Sequence, residues 1–213
     1  MTQKSQYKLI ARSGWMYAGL SCIFIFVLYY YVGLVVSLVF WPLPFLLLYM
    51  FRDPTRQIPP IPLAIVSPCD GVISEVRSIY DRYLNREAIK VRIHMGLFDV
   101  YTARNPIEGK ILQQWYRLKS SVNEKPHFAQ WIQTDEGDDI MLLIFPHKWS
   151  LQPRCESQIS QRVGQGQPCS FINFGADIEV WLPQASNVSV QAGQKVIGGE
   201  SVLAQFIHKK LPV

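Results

Sequence analysis

No aspartate, glutamate, lysine or arginine occurs from Ser13 through Phe51. Drawn as one straight helix at ~1.5 Å per residue, that run would reach about twice the depth of a ~30 Å hydrocarbon core. Two shorter limbs fit better, and the sequence predicts them over Trp15–Tyr31 and Leu34–Tyr49, broken near Gly33. Trp41-Pro42-Leu43-Pro44 should distort the second limb, because proline removes a helical donor. Trp15, Tyr17, Tyr29, Tyr30, Tyr31, Trp41 and Tyr49 suit an interfacial aromatic belt. Lys4, Lys8 and Arg12 precede the run; Arg52 and Arg56 follow it. Basic flanks at both ends put both on the cytoplasmic side, which a hairpin satisfies and a single span does not. A cleaved signal peptide is a poor match, since its apolar region is ~7–15 residues with a small-residue cleavage site.

Composition supports this division. Charged residues make up 17% of the 213-residue chain, against ~25% in an ordinary soluble domain. The formal net charge is +5, and Lys4, Lys8 and Arg12 supply much of it with no acid among the first twelve residues. No basic stripe with interleaved aromatics follows, so nucleic acid is not an expected partner. The flanking cations favour anionic lipid headgroups instead. The four cysteines, Cys22, Cys69, Cys155 and Cys169, show no CxxC spacing, which argues for reduced thiols rather than zinc or a dithiol site.

Three segments are therefore expected: a membrane anchor over 1–51, a proline-rich strap over 52–63, and a β domain over 64–213. The strap, Arg52–Pro62, holds four prolines in eleven residues and reads as extended. Beyond it, short apolar or alternating runs predict strands at Ala64–Ser67, Val72–Val76, Ile89–Met95, Met141–Phe145, Phe171–Phe174, Ile178–Leu182, Val188–Val190 and Ser201–Ile207. Helical periodicity is weak after residue 52, with Ser150–Gln161 the one stretch to consider. Ser67–Val76 and Val190–Glu200 look like two half-motifs. The second resembles the V-x-x-G-x-x-V-x-x-G-E turns of lipoyl- and biotinyl-type modules, without a cofactor-bearing lysine. The fold class expected is mainly β: an N-terminal transmembrane helical hairpin followed by a barrel-sandwich-hybrid-like domain.

The order of motifs carries further information. Phe51-Arg52-Asp53-Pro54 is followed by Ser67-Pro68-Cys69-Asp70-Gly71, Met95–Val100, Asn105-Pro106-Ile107-Glu108-Gly109, Asn123-Glu124-Lys125, Ile172–Asp177 and Gly193–Glu200. Together these resemble the phosphatidylserine decarboxylase family, in its short, type II-like form, over nearly the whole chain. The resemblance implies phospholipid metabolism and a pyruvoyl enzyme. In that family an Asp-His-Ser set cuts the chain before the serine of a Gly-Ser pair. The new N-terminal pyruvoyl group then forms a Schiff base with phosphatidylserine and acts as electron sink for decarboxylation.

At the matching positions this chain departs from the pattern. The aspartate is retained as Asp70, but the Gly-Ser pair falls on Gly175-Ala176, and the histidine falls on Tyr101. A tyrosine, with an ordinary pKa of ~10, is a poor base at neutral pH. A glycine-rich segment reads here as the bulky Phe145-Pro146-His147-Lys148-Trp149. A single serine-to-alanine change accounts for neither Tyr101 nor that segment. The expectation is a membrane-anchored family member that does not self-process, with no cofactor unless processing forms a pyruvoyl group. Its partners would be membrane phospholipid, phosphatidylserine among the candidates, and a second copy or an active family member. The inner membrane is the expected location, with the β domain cytoplasmic. Two alternatives stand beside this: an active decarboxylase cutting at an unrecognised residue such as Cys169 or Ser170, and a membrane-tethered protein-docking scaffold. His94 reads as a strand histidine, His127 and His147 as loop residues with no ligand spacing between them, and Glu124 as a loop-closing carboxylate.

Overall fold

The computed structural model describes residues 12–117, 127–148, 150, 153, 155 and 157–208. Lys4, Lys8, Glu124 and Trp149 lie outside the described residues. The chain divides into two compact units, Met1–Thr55 and Arg56–Val213.

In the first unit the uncharged run folds as α1 (Arg12–Val32), α2 (Leu34–Val39) and α3 (Pro42–Met50). The break falls at Gly33, whose φ of +100° is open to glycine and strained for most other residues. α3 starts with Pro42 at its first turn, where a missing N–H costs nothing. The return limb is thus two short helices rather than the single distorted one expected, with Phe40 and Trp41 forming the corner. Tyr17 packs on Phe51 and Phe24 on Phe40, so the limbs run antiparallel. Within α1, Trp15–Val32 is long and apolar enough to cross a membrane, and most of its large side chains are exposed.

The second unit is mainly β. Its strands are β1 (Ala64–Val66), β2 (Gly71–Asp81), β3 (Arg86–His94), β4 (Thr102–Arg104), β5 (Gly109–Arg117), β6 (His127–Gln133), β7 (Asp139–Pro146), β8 (Arg162–Val163), β9 (Pro168–Phe171), β10 (Ala176–Pro183), β11 (Asn187–Val188), β12 (Lys195–Val196) and β13 (Val202–Gln205). Eight form an antiparallel sheet, in the order β12-β2-β3-β10-β7-β6-β5-β8, curled into half a barrel. β1-β13-β11 and β4-β9 form two smaller sheets. The two half-motifs meet: Lys195 pairs with Val72 and Val196 with Gly71.

Central strands are covered on both faces, which is why β7 reads as a continuous apolar run. Ile140, Met141, Leu142, Leu143 and Ile144 are all buried. Met141 and Leu143 join Ala88, Ala129 and Trp181 under an aromatic cover that includes Tyr83, Trp115 and Trp131. Each such aliphatic side chain contributes ~1.5–3 kcal/mol on burial.

Several expectations need correction. The strand placed at Phe171–Phe174 is β9, ending at Phe171, and residues 172–175 turn instead. None of the described residues in Ser150–Gln161 is helical. β5 and β6 were not among the expected strands: they carry Gln113, Gln114, Gln130 and Gln133 among their apolar residues, which interrupts the apolar alternation. His127 opens β6 rather than lying in a loop; its ring contacts the Tyr83 hydroxyl at 2.7 Å and packs on Phe145. Cys155 and Cys169 form a disulfide, against the expectation of reduced thiols, while Cys22 and Cys69 are free.

Candidate functional site

Gly175 and Ala176 lie where β10 begins, between two neighbours in the large sheet. On one side Ala176 faces Pro146 of β7; on the other, its carbonyl accepts the Met95 amide at 3.0 Å, just past β3. The Gly175 carbonyl accepts the His147 amide at 3.4 Å. Phe174 and Gly175 both have positive φ, +61° and +83°, making the sharp entry into the strand. Ala176 is fully buried.

Tyr101 is also fully buried, beside Phe171 and Phe174. Its hydroxyl donates to the Leu97 carbonyl at 2.5 Å. Burial first, then the charge of Asp99, raises its pKa above the ordinary tyrosine value. Asp70 sits at the turn into β2. It accepts the Gly198 amide at 2.7 Å and pairs with Arg56 at 2.7 Å, so it ties the strap residue and the second half-motif to the first. Cys69 beside it is buried, and burial, followed by the charges of Asp70, Asp99 and Asp177, pushes its thiol well above its usual range. Of the two alternative nucleophiles, Cys169 is buried and paired with Cys155, and it is a free thiol only where that bond is reduced. The Ser170 Oγ is buried and has no hydrogen-bond partner among the described residues, so no base stands against it.

The structure also assembles a group that the sequence did not reveal. His94, at the end of β3, is directly opposite Asp177 of β10 in register. The His94 Nδ1 lies 2.8 Å from Asp177 Oδ1. His147, just beyond β7, brings its Nε2 to 3.6 Å from the same oxygen. The two imidazole rings are 5.2 Å apart. Burial alone would raise the Asp177 pKa, but hydrogen bonding and charge from His94 and His147 outweigh it and hold the carboxyl below its ordinary value. A cavity of about 580 Å³, lined by His94, Met95, Gly96, Leu97, His147 and Phe174, opens on this group. The three residues come from distant parts of the chain, so only the sheet order unites them.

A second cavity of about 550 Å³ lies on the same sheet and is lined by Arg77, Arg82, Lys90 and Arg92 together with Asp177 and Glu179. Lys90 is buried and pairs with Glu75 at 2.7 Å. The Arg92 guanidinium grips Glu179, whose other oxygen accepts the Trp181 indole at 2.8 Å.

Comparison with known proteins identifies the family. No solved structure matches the chain. Residues 44–204 match the family model described as phosphatidylserine decarboxylase. A phosphatidylserine decarboxylase proenzyme of Nitrosomonas eutropha is 34% identical, covering 94% of this chain and 96% of the relative. The proenzyme of Nitrosomonas europaea is 32% identical over the same shares. That of Aromatoleum aromaticum is 29% identical, covering 97% of this chain and all of the relative. The motif order, the β fold and these matches agree: the chain belongs to the phosphatidylserine decarboxylase family.

Proposed function

We propose that this protein is a membrane-anchored member of the family that does not convert itself to the pyruvoyl form and instead binds anionic phospholipid. The observation that carries the reading is the side chain at position 176. The acyl shift needs an oxygen or sulfur on that Cβ, set against the Gly175 carbonyl, and Ala176 has only a methyl group. The residues at this place therefore do not fit a pyruvoyl group. Tyr101 supports the same conclusion: it is uncharged and its proton is engaged by the Leu97 carbonyl, so it is not disposed to accept another. The basic residues flanking the uncharged run, Lys4, Lys8 and Arg12 before it and Arg52 after it, support recognition of anionic headgroups. α1 supports anchoring, being long and apolar enough to span a bilayer.

Intact mass of the purified full chain tests this. One species of 24.5 kDa is expected, with an N-terminus unreactive toward carbonyl reagents. Ala176→Ser alone should leave most of the chain whole, because Tyr101 still stands in place of a base. Ala176→Ser combined with Tyr101→His is the variant in which cutting is expected to begin. A native preparation yielding a pyruvoyl-blocked C-terminal piece that starts at residue 176 would falsify the proposal. A blocked piece starting at Cys169 or Ser170 would point to the active alternative.

A further inference from the structure

We propose that His94, His147 and Asp177 form a binding site for a divalent first-row transition metal of the zinc class, at the place where the family's cleavage pair would otherwise act. Each residue offers one ligand atom, and these atoms lie within 4.8 Å of one another. The three come from the ends of adjacent strands. His94 closes β3, Asp177 is the second residue of β10, and His147 follows β7. Pairing of Asp177 with His94, and of Ala176 with Pro146, sets their relative positions through the backbone ladder rather than through flexible loops.

The spacing suits such an ion. Tetrahedral zinc with bonds of ~2.0–2.1 Å to nitrogen and oxygen keeps its ligand atoms ~3.3 Å apart. The separations here, 2.8 Å from His94 and 3.6 Å from His147 to Asp177 Oδ1, lie on either side of that value. The ligand atoms of the two imidazoles lie wider apart, within 4.8 Å, so the rings close toward each other to complete a tetrahedral set. Two imidazoles and one carboxylate favour zinc, cobalt, nickel, copper or iron over magnesium or calcium, which prefer oxygen alone. Arg92, a cation near Asp177, has its guanidinium engaged by Glu179.

Three protein ligands leave a fourth position. The cavity of about 580 Å³ opens on the two histidines and is otherwise lined by Met95, Gly96, Leu97 and Phe174. The bound ion would therefore present one open coordination position to a largely apolar pocket, as catalytic rather than structural zinc sites do. Water or an anionic oxygen of a ligand is the group that position would take.

The site does not depend on whether the chain cuts itself, so the two readings fail separately: intact mass reports one, metal titration the other. The full chain, purified in detergent and stripped with chelator, would be titrated with Co2+ and Zn2+. One ion per chain is expected, with visible Co2+ absorption of low-symmetry nitrogen and oxygen coordination that Zn2+ abolishes and excess Mg2+ does not. His94→Phe, His147→Ala and Asp177→Asn should each weaken binding at least about ten-fold, the loss seen even for residues that only support a ligand. His208→Ala serves as control. His208 forms an exposed pair with Asp138 elsewhere, and its loss should change nothing. If a variant fails to fold, the wild type still decides. Bound Zn2+ should shield His94 and His147, but not His208, from diethyl pyrocarbonate. Absence of the Co2+ spectrum, displacement by Mg2+, or equal modification of these histidines with and without Zn2+ would overturn the proposal.

Discussion

Gly175 shows how tightly single residues are set at the entry to β10. A Cβ added there would lie 2.6 Å from the Met95 carbonyl oxygen and 3.2 Å from the His147 Nδ1, on a backbone with φ of +83°. The first contact is with backbone, which cannot swing away. Gly175→Ala should therefore lower stability by ~1–3 kcal/mol and displace His147, measurable as a lower unfolding midpoint and a shifted imidazole resonance. Asp177 carries a pH dependence whose sign follows from its lowered pKa. The unfolded carboxyl titrates near ~3.9 and the folded one below it, so its contribution is complete above the unfolded value. That contribution is lost as pH falls through the folded value. Denaturant melts at neutral pH and near pH 3 should differ less for Asp177→Asn than for the native chain; an unchanged difference would remove Asp177 from the acid-sensitive groups.

Among the elements, the centre of the large sheet combines an apolar face with a charged one. Glu179 of β10 and Lys90 of β3 are both buried, and Glu179 is shared by Arg92, Trp181 and, at 3.9 Å, Lys90. Removing one member of such a set leaves the others desolvated without compensation. Glu179→Ala should cost ~3–5 kcal/mol, more than truncating Glu75, which lies nearer solvent and pairs with Lys90 and Arg77. Comparable losses for the two in chemical unfolding would contradict this ranking. In the helical unit the determining element is the break at Gly33. It lets α2 and α3 return along α1, which uncharged sequence alone does not require.

For the molecule as a whole, the charges flanking the helices bear on which side of a membrane each end occupies. Basic residues before α1 and after α3 favour a hairpin with both ends in the cytoplasm. Reporter fusions at Met1 and at Val213 should give the same cytoplasmic signal; opposite signals would replace the hairpin with one long tilted span. The Cys155–Cys169 disulfide belongs more naturally to an oxidising compartment. Charge acts at insertion and sets the side, whereas the bond forms or opens according to the side reached. A cytoplasmic β domain should thus have this bond open to cellular thiols, so that alkylation under denaturing conditions immediately after lysis labels both cysteines, including the buried Cys169. The full chain, with Lys4, Lys8 and Arg12 before the uncharged run and Arg52 after it, should prefer anionic to zwitterionic vesicles, and the preference should weaken as salt rises. Equal binding of the folded full chain to both vesicle types would favour the docking scaffold over the lipid reading.

Much was legible in the residues themselves. The uncharged run, the proline strap, most apolar strands and the family's ordered motifs are local patterns, because burial and backbone conformation act over a few neighbouring residues. The glutamine-containing β5 and β6 were not legible, since their strand state comes from pairing with each other and with β7 rather than from alternation. The disulfide was missed because no spacing rule links Cys155 to Cys169. His94, His147 and Asp177 looked like a strand histidine, a loop histidine and an unremarked acid. Only the order β3-β10-β7 in the sheet brings them within reach of one another. Strand order is decided by which long-range pairings bury the most apolar surface together, and no local stretch of this chain carries that information.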